Sequence, residues 1–406
     1  MKIKAFHALR PAAALADRLA TPPYDVVDTA EARRLAEGLP HSFLRVTRPE
    51  LELADGTDPA SPAAYARAAE NFRLFLKKGW LARDPQPGLF LYRQIRGAHA
   101  QCGLVAVCSV DDYEQEVILK HEKTRQKPED DRTAHITATN AQTGPVFLAF
   151  RDRPALTRAF AEGQAAAPLN DFTAVDGVRH TVWRVADPAA WVREFAAVET
   201  AYIADGHHRA AAARRVARER AAANPRHTGA EEYNWFLAVL FPSSTLQILP
   251  YNRCVRDLNG LAPEAFLARV REIFDVAETA AGEPGGAGCV AMRLGEKWYR
   301  LSWRPDPAAD PVAALDVSVL QDRLLAPVLG IADPRSNERI SFVGGIHGTE
   351  EHERRVRDGR AAVAFSLHPV SLDQLMAVSD AGRIMPPKST WFEPKLRDGL
   401  VVHAID

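Results

Sequence analysis

The stretch that most constrains the fold is Tyr202-Ile203-Ala204-Asp205-Gly206-His207-His208-Arg209, which runs straight into Ala210-Ala211-Ala212-Ala213-Arg214-Arg215-Val216. An apolar run ends at an acid and a glycine, and a segment of high helix propensity follows at once. The pattern predicts a strand, a tight turn at Gly206 and the start of a helix. The first N–H groups of a helix have no intrahelical acceptor and favour anions. Two imidazoles and a guanidinium beside them make a phosphate or oxyanion pocket. Helix capping or a polar niche is the plainer alternative. The gathering of an acid, two histidines and an arginine at one junction favours the pocket.

At 406 residues the chain is too long for one core, which rarely grows past ~250–300 residues, so two or three domains are expected. The 51 basic and 52 acidic residues nearly cancel. No whole-chain field therefore points to nucleic acid or to a membrane surface. Apolar stretches fall far short of the ~20 residues that span a bilayer. The start, Met1-Lys2-Ile3-Lys4, lacks the apolar core of a signal peptide. A cytoplasmic location is the default expectation. Cys102, Cys108, Cys254 and Cys289 have no CxxC or metal-ligand spacing and read as reduced packing residues.

The chain divides into an N-terminal α/β region over 1–87, a core over 88–245 and a C-terminal α+β region over 246–406 that completes the site. Asp28 is placed to cap a helix beginning near Thr29. His41 to Val46 reads as a short strand, and Ala63 to Lys78 has apolar residues at helical spacing. Strands are expected over Leu89 to Ile95, from Gly103, over Val146 to Phe150 and over Thr181 to Val185. The opening helix should run to about Ala223, before Asn224-Pro225. Trp235 to Phe241 and Leu246 to Val255 read as paired strands around Pro242-Ser243-Ser244-Thr245. The glycine-rich Gly282 to Gly288 lacks the GxxxxGK[ST] form of a nucleotide loop and reads as a connector.

Two further stretches carry chemistry. Lys120 to Arg132 packs His121, Glu122, Lys123, Thr124 and Arg125 beside a strand. Glu122 is a candidate general base, Lys123 and Arg125 can neutralise phosphate, and Thr124 can donate to it. Taken by itself, this run reads first as a solvated loop or helix face, as most charge runs are. Pro386 to Lys395 is braced by prolines and offers Lys388, Ser389 and Thr390 as donors. Its Trp391 and Phe392 read equally well as anchors of the tail. A metal set drawn from Asp205, His207 and His208 ranks lower, because adjacent helical residues project about 100° apart. No metal ligand is assigned.

These residues resemble a bacterial and archaeal family catalogued as domain of unknown function 1015. The matching pieces are Pro22 to Val27, His121 to Thr124, Gly144 to Phe147, Ile203 to Arg209 and Met385 to Leu396. A shorter resemblance joins Asp205-Gly206-His207-His208-Arg209 to the free-serine kinases built on the ParB/sulfiredoxin fold. It implies an α+β chain with a mixed-sheet ParB/sulfiredoxin-like core and additional N- and C-terminal α+β regions. It implies a phosphotransferase acting on the hydroxyl of free serine or a similar metabolite. Glu122 is then the base and Asp205 its partner at the hydroxyl. Gly206, His207, His208 and Arg209 hold the transferred phosphoryl, while Lys123, Thr124, Arg125 and Lys388 to Thr390 hold the rest of the donor. Mg²⁺ is expected with that donor, which is ATP, ADP or pyrophosphate. Sulfiredoxins carry a cysteine where this chain has His207, which argues against sulfinic-acid reduction. A non-catalytic nucleotide-binding regulator and a metal-dependent hydrolase are the alternatives. Acceptor, donor and oligomeric state are not legible in the sequence.

Overall fold

Val146–Phe150 and Trp235–Pro242 are almost wholly apolar and almost wholly buried, as strands covered on both faces must be. In the computed structural model, which describes residues 1–306 and 308–406, they lie side by side and parallel in a nine-stranded mixed sheet. The order is Ile118–Leu119, Ala201–Asp205, Val146–Phe150, Trp235–Pro242, His99–Ser109, Phe90–Arg96, Arg179–Arg184 and Asn170–Thr173, with Ile3–Lys4 also paired to His99–Ser109. The chain is an α+β protein built on mixed sheets.

Two units emerge. The first holds Met1–Leu246 and Pro394–Asp406, and the second holds Gln247–Glu393. Residues 1–87 and 88–245, drawn apart in the sequence, share the first unit because their strands pair. Ile3 lies opposite Cys108, and a small second sheet runs Leu81–Arg83, Ala8–Pro11, Val402–Ala404, Ala141–Gln142. That sheet also returns the C-terminal segment to the first unit. Gln94 and Gln101 fix the segment further by donating to the carbonyls of Lys395 (2.7 Å) and Pro394 (3.3 Å). The second unit is an antiparallel six-stranded sheet ordered Asp275–Thr279, Lys297–Ser302, Cys289–Leu294, Val363–Leu367, Tyr251–Val255, Ile340–Gly344.

Local readings mostly hold. Thr29–Ala36 is helical with the Asp28 carboxylate accepting from Glu31 N–H at 2.8 Å. Two readings are corrected. His41 to Val46 is a turn leading into the short helix Leu44–Thr47, since an apolar run of that length suits either state. Trp235–Pro242 does not pair with the strand after it. Both its edges are already taken by His99–Ser109 and Val146–Phe150, and Tyr251–Val255 pairs within the second unit. No helix among the described residues is long and apolar enough to cross a membrane.

Candidate functional site

Ala201–Asp205 is a strand, Gly206 a left-handed turn residue and His207–Ala223 a helix, as the motif predicts. Gly206 has φ of 93°, a backbone conformation that favours glycine, and a Cβ there would press on the Arg209 guanidinium at 3.0 Å from Nε. The strand's register against Val146–Phe150 shifts between Ile203 and Asp205. Such a bulge re-aims the side chain that follows.

Parallel pairing explains the second half of the site. Ile118 and Leu119 lie opposite Ala201 and Tyr202, so both strands end at the same edge. The residues that leave them, His121-Glu122 and Gly206-His207, therefore meet at the carboxyl ends of neighbouring parallel strands, where open α/β sheets bind ligands. The His121 and His207 rings meet edge to face, with centroids 4.5 Å apart. Ligand atoms of His121, Glu122 and His207 all lie within 4.8 Å of one another. The Arg125 backbone N–H donates to His208 Nε2 at 3.1 Å and ties this loop to the helix.

Asp205 sits among cations. Lys395 Nζ approaches its Oδ2 at 3.1 Å and Arg209 Nη2 at 3.5 Å, and Gly206 N–H donates to its Oδ1 at 2.9 Å. Burial alone would push the Asp205 carboxyl up, but Lys395 and Arg209 outweigh it and hold it below the usual carboxylate range. A carboxylate held so low is a weak base, so Asp205 suits orientation of a hydroxyl better than removal of its proton. Burial also drives both imidazoles toward the neutral form. His121 falls to about 4, and His207 falls well below the ordinary value, with the neighbouring His121 adding to the effect. The positive charge at this turn thus comes from Arg209 and Lys395 and the helix start, not from His207.

Arg209 is 8% exposed. It donates through Nη1 to the Pro145 carbonyl, while its Nε is buried without a hydrogen-bond partner among the described residues. It also lines a narrow cleft with Tyr24, Arg132, His135, Gly144 and Asp398. The Arg132 guanidinium lies 3.7 Å from the centre of the Tyr24 ring. Asp398 is 2% exposed, accepts from Tyr24 N–H at 3.3 Å, and lies where a Cβ on Gly144 would overlap its Oδ1. The Gly144-Pro145 step therefore makes room for the Asp398 carboxyl and anchors the Arg209 guanidinium.

Asp398 supplies a pH dependence. Burial pushes its carboxyl up to about 7, with Arg209 pulling the other way. An unfolded chain loses that proton near pH ~3.9. Between these values the folded protein holds a proton on Asp398 that the unfolded chain has released, so the contribution of this one carboxyl falls as pH rises through about 4 to 7, against the buried neutral imidazoles of His121 and His207, whose contribution rises with pH. A shift of that size is worth up to ~4 kcal/mol. Asp205 acts oppositely and below this window: its contribution is present above pH ~3.9 and is lost as pH falls toward its depressed folded value. The Asp398→Asn variant should therefore gain stability relative to the unaltered protein between pH 4.5 and 8, read by urea unfolding at each pH. Parallel pH profiles for the two proteins would refute the assignment.

The remaining expected site residues are less concentrated. Lys123 and Arg125 are exposed, and the Thr124 hydroxyl donates to Glu129 at 3.0 Å rather than standing free. Lys388, Ser389 and Thr390 belong to the second unit. There Lys388 Nζ lies 5.5 Å from the centre of the Tyr251 ring, and Ser389 Oγ donates to the Pro386 carbonyl at 2.6 Å. The sequence assigns no role to Lys395, His121, Arg132 or Asp398. Lys395 and Asp398 lie about 190 residues from the turn they serve, and no local pattern marks such a contact.

No curated protein matches the chain. Solved structures with a similar course of chain include a free serine kinase in complex with AMP (14% identity, TM-score 0.37, covering 71% of this chain and 86% of that one). Others are SbnI with C-terminal truncation from Staphylococcus aureus (11%, 0.38, 72% and 85%) and a conserved hypothetical protein from Pyrococcus furiosus (14%, 0.37, 72% and 93%). Identities this low assign no role to any residue. The family profile is more decisive, matching residues 3–318, which take in the Asp205–Arg209 turn, the His121-Glu122 loop and the Gly144-Pro145 step alike: the chain belongs to the DUF1015 family, described as a protein of unknown function.

Proposed function

We propose that the protein is a small-molecule phosphotransferase, acting on the hydroxyl of free serine or a similar metabolite. The observation that carries this reading is the meeting of Glu122 with the Gly206 turn, where Arg209, Lys395 and a helix start supply positive charge beside an acid. Phosphoryl transfer asks little else of a protein than positioning and charge neutralisation. In the proposed step the acceptor hydroxyl gives its proton to Glu122 while its oxygen bonds to the terminal phosphorus. The bridging P–O bond of the donor breaks, and its electron pair leaves on the released phosphate or nucleotide. Asp205 orients the hydroxyl. Arg209 and the first N–H groups of the His207–Ala223 helix hold the phosphoryl oxygens.

The donor is a phosphoanhydride, either a nucleotide or pyrophosphate. Mg²⁺ prefers six oxygen ligands. The side chains at this turn do not fit a protein-held Mg²⁺: Asp205 is committed to Lys395 and Arg209, and two of the three groups that meet beside it are imidazoles. Mg²⁺ would neutralise the donor's own phosphates. The test is direct. Pure protein incubated with serine and ATP, ADP or pyrophosphate should form phosphoserine with one of the three. Absence of product with every donor sinks the serine version, and a panel of other hydroxyl metabolites then tests the wider one.

A further inference from the structure

We propose that His121, Glu122 and His207 form a binding site for a first-row transition-metal ion, best fitted by Zn²⁺. The three ligand atoms lie within 4.8 Å of one another. Zn²⁺ holds nitrogen and oxygen ligands at about 2.0–2.2 Å, so a small closing movement of these side chains brings all three onto one ion. Two imidazoles and one carboxylate suit Zn²⁺ and its neighbours in the series, whereas Mg²⁺ and Ca²⁺ take oxygen.

A second observation points the same way. His207 is 6% exposed, and its Nε2 is buried without a hydrogen-bond partner among the described residues. A buried polar atom left unmet is costly, and a metal ion meets it. His121 donates a hydrogen bond to the Ile203 backbone carbonyl. Metal-binding histidines are usually held in this way by their other ring nitrogen, which fixes both the tautomer and the ring.

The backbone supplies the pre-organisation. His121 and Glu122 come from the loop after one strand and His207 from the helix after its parallel neighbour, so no ligand pair depends on adjacent positions of one helix. Asp205 and His208, which the motif alone would nominate, are instead engaged by Lys395 and by the Arg125 N–H. Three protein ligands leave a coordination position for solvent or an incoming group, the arrangement of non-structural zinc sites. An ion bound to Glu122 also occupies the carboxylate assigned to proton removal. Metal should then inhibit turnover, a consequence that rests on the phosphotransferase reading, while the binding itself does not.

The experiment uses the full chain, stripped with chelator, reloaded with Zn²⁺ or Mg²⁺, desalted and analysed by elemental mass spectrometry. One Zn²⁺ per chain and no retained Mg²⁺ are expected. The Co²⁺-loaded protein should show visible ligand-field absorption that is absent from His207→Gln. His207→Gln and Glu122→Gln should each weaken Zn²⁺ binding at least about 100-fold, the upper range for loss of an outer-shell partner alone. Zn²⁺ bound equally well by both variants, or not retained by the unaltered protein, overturns the site. Should His207→Gln fail to fold by circular dichroism, Glu122→Gln carries the comparison. Zn²⁺ binding without phosphoryl transfer under any condition upholds the site and removes the kinase reading instead.

Discussion

Glu122→Gln is expected to lower the rate of phosphoryl transfer by about 10²–10⁴-fold, the usual contribution of a general base, while leaving donor affinity unchanged. The substitution is isosteric and removes the negative charge together with the capacity to accept a proton. Asp205 cannot take over, because Lys395 at 3.1 Å and Arg209 at 3.5 Å hold its carboxyl below the usual range. Nor can the helix start compensate, since backbone N–H groups donate hydrogen bonds and accept no proton. Product formation and a calorimetric donor titration, run on both proteins, read the two quantities separately. Equal turnover by both proteins would remove Glu122 from the chemistry. Donor binding without turnover in either would favour a nucleotide-binding regulator.

Arg209→Met should destabilise the first unit by about 3–5 kcal/mol, the cost of breaking a buried ion pair from one side. Methionine fills much of the space, but Asp205 then keeps only Lys395, the Pro145 carbonyl loses its donor, and Asp398 loses a neighbouring cation. Hydrogen exchange of amides in Ala201–Asp205 and His207–Ala223 reports on this unit alone. Exchange through global opening should accelerate at least about 100-fold, since each 1.4 kcal/mol is a factor of ten. Arg209→Lys should recover only part of the loss, because an ammonium lacks the planar fork that serves Pro145 and Asp205 together. Unchanged protection in Arg209→Met would show that the guanidinium is not a structural hub.

The motif at 202–216 was legible because its information is local. A short apolar run, a glycine at a position that needs φ of 93°, and an alanine-rich run specify strand, turn and helix without reference to the rest of the chain. The Asp28 cap was legible for the same reason: donor and acceptor are three residues apart. His41 to Val46 went the other way, because six residues carry too little period to separate strand from helix and the surrounding packing decides.

Resemblance nominated Glu122 as a companion of the turn, and the parallel pairing of Ile118–Leu119 with Ala201–Asp205 explains why the two meet. Chemistry at the site was decided beyond any local window. Lys395 fixes the charge state of Asp205, His121 joins His207, and Asp398 seats itself over Gly144. Each of these depends on strands far apart in sequence coming side by side, and on the C-terminal Val402–Ala404 strand closing back onto the first unit. By itself the sequence determined the strand, the glycine turn and the helix start. Only the tertiary structure decided which side chains face it and what charge they bear, because burial and neighbouring ions set that charge and neither exists before the chain has folded.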